Sequence, residues 1–382
     1  MTLRRKTLLV VLATVVVSIV IQYVVSRAIL MSRFLALEEE YTLQNVERAQ
    51  SALFDELAAL DTIVGDRAAW DDTYEFMEDM NKDYIQSNLV DETFIYNGLN
   101  IVVLVNTSGQ IVFAKGFDLA SEERVPVPAD LQKHLTADAL LNHPDTKSGV
   151  VGLVLLSEGP MLIASRPVLR STNAGPIRGA MLMGRYLGSA EIAHLAEVTH
   201  LSFTIHQLDD PLVPELEAVQ TTLLEDEAAV LTQPLSRESL AGYTLLEDIY
   251  GEPILILGIE EPRDIYHYGE ISVLYFAVSL LIVGVLSGAA GWLMLERQVV
   301  ERLAQLSKSV SDIETGGGSS ARISTTGRDE LTQLAGAINK MLGGLERVES
   351  GLRTAHAELE ERVRERTAEL AEANEALQAS LR

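Results

Sequence analysis

The sequence predicts an α+β protein that crosses a membrane twice. Two apolar runs, 7–26 and 271–295, carry no charged residue, and each is long enough to span a bilayer as a helix. Between them, a long helical period is followed by a series of strand-like segments. After the second run, apolar residues recur every three or four positions. We therefore predict two membrane helices, a mixed helix-and-sheet domain between them and a coiled coil after them.

The residues beside the two runs predict their orientation. A signal peptide is the alternative for the first run, but this run is longer than a typical secretory core and no small-residue cleavage motif follows it. Basic residues precede the first run and follow the second, whereas 260–270 is mainly acidic. The positive-inside rule then predicts a cytoplasmic tail at 1–6, an outer domain at 27–270 and cytoplasmic residues from 296 onward, all in the inner (cell) membrane.

The formal charge of −25 belongs entirely to the predicted outer domain. Residues 27–270 contain 15 Lys and Arg against 40 Asp and Glu, whereas the two cytoplasmic pieces together contain 15 of each kind. Nucleic acids and anionic lipid headgroups need basic patches, so this composition argues against both as ligands. The chain has no cysteine, which excludes disulfides and thiol chemistry.

The outer domain should begin with one long amphipathic helix. Its apolar stripe starts at Leu35 and continues from Val46 to Val64, mostly at spacings of three and four, in a segment without proline. Strands follow, with turns predicted at Gly109, Gly159 and Gly251. The predicted strands are 100–106, 110–116, 149–157, 160–170, 175–187, 201–208, 242–249 and 252–261, and helices are predicted within 128–141 and 189–200.

The cytoplasmic part shows two heptad seams separated by a glycine-rich connector. The first seam runs from Val299 to Ile313, and the second runs from Leu331 to Leu359 with alternating steps of three and four. The step from Leu359 to Val363 is four residues, where the alternating pattern requires three. Such an added residue step is a stutter, which locally unwinds a coiled coil. These seams predict a parallel homodimer.

The two cytoplasmic helices with their connector resemble a HAMP linker. The resemblance is carried by "DELTQLAGAINKML" (329–342), with its opening acid pair, its apolar seam and its Asn-Lys-Met triplet. Thr332 and Ile338 depart from the family pattern, which usually has Gly and Phe there. The resemblance assigns 296–348 to the HAMP linker. The tail, 349–382, resembles the signalling coiled coils that join receptors to output domains.

Three ordered blocks of the outer domain are similar to the fourth class of CHASE domains, which are extracytoplasmic sensors of prokaryotic receptors. They are "AAWDDTYEFMEDMNKDYIQSNL", "NIVVLVNTSGQIVFAKGFD" and "RPVLRSTNAGPIRGAMLMGRYL". The resemblance is strongest over 60–200. It implies a PAS-like, Cache-like fold on a long helix, and it implies no known ligand.

The candidate ligand-binding stretch begins with Trp70, Asp71 and Tyr74. In one interpretation Trp70 and Tyr74 are the walls of a pocket, and Asp71 receives a polar or cationic group of the ligand. In the other, Trp70 is a core anchor where the long helix meets the sheet, and Asp71 and Asp72 cap the next helix or are solvated.

Two arginines complete the candidate site, because each lies in an otherwise apolar strand where an unpaired guanidinium is costly. These are Arg166 in "LIASRPVL" and Arg185 in "AMLMGRYL". One interpretation makes them an anion clamp, since guanidinium groups suit carboxylates. The other makes them partners in salt bridges with Asp71, Asp72 or Asp118.

The resemblances imply a homodimeric transmembrane signal receptor with an unknown extracytoplasmic ligand. Its output module would be a histidine kinase or a cyclic-dinucleotide enzyme, in a part missing from this chain or in a separate partner. The seven histidines show no helical pair at metal-ligand spacing, and no nucleophile elbow, phosphate loop or kinase signature is present. We therefore predict no enzyme activity and no cofactor for these 382 residues. The alternative is a membrane-anchored enzyme with an extracytoplasmic active site; a structural tether would not explain so large an outer domain.

Overall fold

The computed structural model describes residues 3–136, 140–211, 213–225, 230–315, 322–324 and 327–380. One compact unit extends from Ile29 to Ser272, and a second comprises the described residues up to Ala28 and from Val273. The helices are α1 (Leu3–Ala68), α2 (Asp71–Asp79), α3 (Lys82–Asn88), α4 (Asp91–Asn97), α5 (Leu131–Thr136), α6 (Ser189–Thr199), α7 (Pro214–Glu225), α8 (Asp264–Leu295), α9 (Glu301–Thr315) and α10 (Glu330–Ser380).

The strands of the first unit form two antiparallel sheets. A six-stranded sheet has the order β3-β2-β1-β6-β5-β4, and a four-stranded sheet has the order β7-β10-β9-β8. The predicted α+β class is confirmed, although the region predicted as one sensor domain holds two sheets. The strands are β1 (Ile101–Asn106), β2 (Ile111–Asp118), β3 (Glu123–Val125), β4 (Val150–Leu156), β5 (Gly159–Pro167), β6 (Gly179–Tyr186), β7 (Ser202–Gln207), β8 (Leu231–Pro234), β9 (Ser239–Glu247) and β10 (Pro253–Pro262).

The buried stripe of α1 packs against both sheets. From Val46 to Val64 the predicted apolar stripe is buried, and it shares one core with residues of β1, β5, β6, β9 and β10. The prediction for Leu35 was wrong, because this side chain is 41% exposed. Toward that end of α1 the buried positions are polar instead: they are Glu38, Thr42 and Asn45.

The six-stranded sheet has a buried core on each face. Successive residues of a strand point to opposite faces, so Val102 of β1 packs on the α1 side while Val103 packs on the other. The second face is covered by α5 and by Leu140. The predicted β1–β2 turn is confirmed: Gly109 has φ +80°, a conformation that favours glycine, and Asn106 Oδ1 accepts hydrogen bonds from the backbone that follows it.

The second unit contains helices suited to a membrane and a HAMP-like helix pair. The N-terminal part of α1 and the apolar part of α8 have the length and composition of membrane spans. A π-helical turn, Glu296–Val300, joins α8 to α9, and the N–H of Glu301 donates to the carbonyl of Glu296 across it. Residues 316–321 and 325–326 of the predicted glycine-rich connector (314–330) lie outside the described residues. The predicted boundary at 348 falls within the continuous helix α10.

The start of α10 is fixed by Asp329. Its carboxylate accepts hydrogen bonds from Thr332 Oγ1 (2.7 Å) and Thr332 N (3.0 Å), and it also pairs with Arg302. These bonds from Thr332, and then the Arg302 guanidinium, lower the pKa of Asp329 to about 2. Asn339 holds the segment before α10 by bonding both the N–H and the carbonyl of Ile323, each at 2.8 Å. Thr332, which departs from the family pattern, thus donates two hydrogen bonds to the carboxylate of Asp329, which caps α10.

The predicted second seam lies on the exposed surface of α10 for much of its length. In the single chain, its large apolar residues are solvent-exposed on one helical stripe. Within the seam they are Leu334, Met341, Leu345, Val348, Leu352 and Leu359; beyond the stutter, Val363, Leu370 and Leu377 are exposed as well.

Candidate functional site

The candidate stretch forms the short helix α2. Trp70 occupies the N-cap position without a side-chain cap, and Asp71 and Asp72 lie in the first turn, where the helix dipole favours negative charge. The helix ends at Asp79, and its C-cap residue, Met80, has a left-handed backbone conformation. Its buried residues include Tyr74 and Phe76. One interpretation predicted that Asp71 and Asp72 cap α2. Neither does, because both lie in the first turn of the helix.

The loop after β5 folds back onto α2. The backbone N–H of Leu169 donates to the carbonyl of Ala68 at 3.0 Å. A few residues further along both segments, Asp71 and Ser171 exchange two hydrogen bonds. Asp71 N donates to Ser171 Oγ at 3.1 Å, and Ser171 N donates to Asp71 Oδ1 at 3.2 Å. This loop therefore supplies the partners of the acidic end of α2. We call Asp71, Tyr74, Glu78, Arg170, Ser171 and Arg178 the α2–loop cluster.

Tyr74 lies at the centre of the α2–loop cluster. Arg170 Cζ is 4.6 Å and Arg178 Cζ is 4.0 Å from the centre of its ring. The Tyr74 hydroxyl donates to the carbonyl of Pro176 at 3.3 Å, and the side chain is only 2% exposed. Cation–π attraction of this kind holds guanidinium groups against an aromatic ring. The pocket wall predicted at Tyr74 is thus covered by two arginines that sequence reasoning missed.

The charges of the cluster remain accessible to solvent. Arg178 pairs with Glu78, which is 70% exposed, and Arg170 lies 3.9 Å from Asp71, which is 54% exposed. Exposed pairs of this kind contribute little to stability, because water screens them. The cluster therefore offers two cations and two carboxylates that a polar ligand could engage with little loss of folding energy.

Trp70 is half-buried, which differs from the core-anchor interpretation. Arg67 Cζ lies 5.2 Å from the centre of the indole ring. The aromatic residues of this stretch that do enter the core are Tyr74, Phe76 and Tyr84. Trp70 is thus more accessible to a ligand than Tyr74 is.

Arg166 and Arg185 lie elsewhere, on the face of the six-stranded sheet that α1 covers. Arg166 makes a two-pronged contact with the Asp61 carboxylate, including Nε to Oδ1 at 2.6 Å. Arg185 binds Glu56 at 2.8 Å and Glu191 at 3.2 Å. The arginines are paired as one interpretation predicted, but the partners predicted at 71, 72 and 118 were wrong, because α1 places its own acids over this face.

The five predicted residues therefore occupy two separate places. Trp70, Asp71 and Tyr74 belong to α2 and its surroundings, whereas Arg166 and Arg185 tie β5 and β6 to α1. Their ligand-binding role stays a prediction.

A cavity of about 430 Å³ opens on the other face of the six-stranded sheet, at the β1–β2 turn. His143 is among its lining residues, and His143 Nε2 lies 3.0 Å from Ser165 Oγ, which itself donates to the carbonyl of Leu140. Burial, followed by the nearby Arg166 charge, lowers the pKa of His143 and favours a neutral imidazole. None of the predicted site residues lines this cavity. No cluster of metal-ligating side chains occurs within the described ranges.

Asp71→Asn is expected to leave the free energy of unfolding within about 1 kcal/mol of the wild type. The reason is that Asp71 is more than half exposed and its ion pair with Arg170 is long. Thermal unfolding of the full chain would measure this. Asp61→Asn is the comparison, because it removes the partly buried partner of Arg166 and should cost more. An equal or larger loss for Asp71→Asn would contradict the exposed geometry.

Comparison with known proteins identifies two domains in the chain. Residues 52–206 match the CHASE4 domain family, and residues 294–347 match the HAMP domain family. The methanogenesis regulatory histidine kinase FilI of Methanothrix harundinacea (strain 6Ac) is 30% identical over 311 residues. That alignment covers 81% of this chain but only 34% of the kinase, so the chain spans about a third of that relative.

Solved structures show a weaker likeness. The periplasmic domain of Vibrio cholerae LuxQ matches 58% of this chain and 99% of its own, with 14% identity and a TM-score of 0.38. The periplasmic sensory domain of the Campylobacter jejuni chemoreceptor Tlp1 matches 61% of this chain and 96% of its own, with 12% identity and a TM-score of 0.34. At these TM-scores neither likeness bears on function.

Proposed function

Because the chain carries a CHASE4 domain and a HAMP domain, we propose that it is the sensing and transmitting part of a transmembrane receptor. The observation that carries the proposal is the order of parts along the chain. A membrane-length helix leads into the CHASE4 region, and a second membrane-length helix leads from it into the HAMP domain. In this order, a stimulus received between the two spans reaches the HAMP domain through α8.

The output we propose is a histidine kinase domain, with a cyclic-dinucleotide enzyme as the second candidate. Support for the kinase comes from the relative in Methanothrix harundinacea, which is named as a regulatory histidine kinase. In this proposal residues 1–382 contribute sensing and transmission, and catalysis belongs to the output module.

The receptor we propose is a homodimer held together in part by α10. Its exposed apolar residues keep the heptad spacing over several turns, and such a stripe is stabilised when a second helix covers it. The chain has no cysteine of its own, so a single introduced thiol reports only on its own position.

Cysteine introduced at Leu334 or Ile338 is expected to crosslink to its own copy in membranes, because both positions belong to the predicted seam. Disulfide formation under mild oxidation would be quantified on gels. Lys340 is the matched control, since it is an exposed residue of the same helix outside the seam. Crosslinking at Lys340 as strong as at the seam would contradict the dimer.

In the orientation we propose, both termini are cytoplasmic and the region between the spans is outside. The support is the distribution of basic residues beside the two spans. A cysteine at Glu122 should then react with an impermeant thiol reagent in intact cells, whereas one at Glu358 should react only after lysis. The opposite labelling pattern would overturn the orientation.

The ligand-facing surface we propose is the α2–loop cluster together with the adjoining residue Trp70, with Trp70 and Asp71 as its accessible groups. It combines exposed charges with a half-buried aromatic ring. Asp71→Asn in a receptor fused to a reporter output should change the response while leaving thermal unfolding near that of the wild type. Wild-type response together with wild-type unfolding would assign this stretch to structure alone.

A further inference from the structure

The buried stripe of α1 becomes polar where it faces the end of β10. Thr42 is 1% exposed and Asn45 is 0% exposed, although both carry hydrogen-bonding side chains. Strand β9 also approaches α1 closely there: a Cβ on Gly242 would lie only 2.8 Å from Thr42 Cγ2. Polar groups in such a place need partners inside the protein. For Thr42 and Asn45 that partner is Glu261, near the end of β10.

Two acidic side chains reach this place, and they are neutralised differently. Glu38 is bound by Arg263, with Oε2 2.7 Å from Nη2 and 3.2 Å from Nε. Glu261 has no cation at salt-bridge distance in the described part of the chain. Its Oε1 accepts from Asn45 Nδ2, and its Oε2 accepts from Thr42 Oγ1 at 3.3 Å. Glu261 is thus a partly buried carboxyl group whose direct partners are neutral.

A proton is the simplest way to neutralise such a carboxyl group. Burial raises the pKa of Glu261, against the opposing effects of Asn45, Thr42 and the Arg48 charge. Asn45 Oδ1 is buried and has no hydrogen-bond partner among the described residues. Protonation of Glu261 removes the charge and lets its carboxyl group donate one hydrogen bond among these oxygen acceptors.

The charged surroundings of Glu261 are limited. On α1 they are Arg48, which is exposed, and Glu38, which is already paired with Arg263. On β9 the residue directly opposite is Leu240, which is uncharged. Glu260 precedes Glu261 in β10 but is exposed, and its charge acts on Tyr243. No cation in the described ranges therefore forms a salt bridge with Glu261 that would replace the proton.

We propose that Glu261 is a proton-binding site at which acidification tightens the packing of α1 against β10, which makes pH a stimulus of the receptor. Because folding raises the pKa of Glu261, its stabilising effect is complete below the pKa of the unfolded chain and is lost as pH rises through the folded value. Since Thr42 and Asn45 belong to α1 and β10 leads directly into α8, the proton acts on the two elements that continue as the membrane-length helices. The signalling consequence depends on the proposed function, whereas proton binding does not.

The test is thermal unfolding of the full chain in lipid nanodiscs from about pH 8 down to about pH 5. Glu261→Gln keeps the shape of the protonated side chain, so the melting temperature of this variant should exceed that of the wild type at the high-pH end of the range. The difference should shrink to zero as the pH falls. Glu260→Gln is the matched control and should show a difference that does not vary with pH. A constant difference for Glu261→Gln, or a lower melting temperature at the high end, would overturn the proposal.

A second variant tests the proposal without altering Glu261. Arg48 is exposed, so Arg48→Gln should fold normally, and it removes the charge that favours ionised Glu261. The midpoint of the pH-dependent change in melting temperature should move to higher pH, whereas Arg48→Lys should keep the wild-type midpoint. An unchanged midpoint in Arg48→Gln would refute proton binding at Glu261. Neither readout requires a dimer or an output module, so a failure of the receptor proposal would be seen separately.

Discussion

Replacement of Arg263 by methionine is expected to lower the free energy of unfolding by about 3–5 kcal/mol. The substitution removes the cation from Glu38, which is 5% exposed, and leaves its carboxylate buried without a charged partner. It also removes the guanidinium that lies 4.4 Å from the ring centre of Tyr266 and that holds the connection between β10 and α8 to α1. Chemical unfolding of the full chain in detergent micelles would measure the loss.

Two further variants separate the buried pair from surface electrostatics. Arg124→Met removes an exposed cation that pairs with Asp91, and the expected change is about 0–1 kcal/mol. The double variant Glu38→Leu and Arg263→Met replaces both charges by apolar groups and should recover much of the stability lost in the single variant. A loss below about 1 kcal/mol for Arg263→Met would show that this pair does not hold α1 to the end of β10.

Tyr74→Ala should lower the free energy of unfolding by about 3–5 kcal/mol, as for other buried aromatic residues. The substitution opens a cavity in the core and removes the ring on which Arg170 and Arg178 stack. Trp70→Ala should cost less, although tryptophan is larger, because Trp70 is only half-buried. The ranking of these two variants in thermal unfolding is the measurement.

Tyr96→Ala is the control for this comparison, because Tyr96 is 85% exposed and a change within about 0.5 kcal/mol is expected. Tyr74→Phe isolates the hydroxyl bond to Pro176 and should cost about 1 kcal/mol. A larger loss for Trp70→Ala than for Tyr74→Ala would mean that Trp70 is the core anchor after all.

Elements with strong local signals could be predicted from the sequence. The turns at Gly109 and Gly251 lie between segments with clear strand composition, and α6 has the predicted helical extent within one residue. The helix α7 and the four-residue strand β8 were missed. Their formation depends on packing, as where Val219 of α7 contacts the second sheet.

The partners of the arginines could not be predicted from local sequence. Strand alternation shows that Arg166 and its neighbour Ser165 face opposite sides of the sheet, but it does not show which side α1 covers. Asp61 lies over that side, more than a hundred positions away in sequence. Likewise, Arg170 and Arg178 belong to a loop whose return to Tyr74 is a tertiary contact. The acidic residues of α1 were visible in the sequence as possible partners. Only the fold shows that they pair with the arginines of β5 and β6.

The π-helical turn between α8 and α9 has a geometric consequence for the residues on either side of it. Its hydrogen bond spans five residues, from Glu301 back to Glu296, where an α-helix would span four. Each residue of an α-helix turns the chain by about 100°. Shifting this turn to α-helical pairing would therefore rotate the side chains of α9 about the helix axis by up to about 100° relative to those of α8. The junction holds an angular offset that the chain can release by exchanging hydrogen bonds, without unfolding either helix.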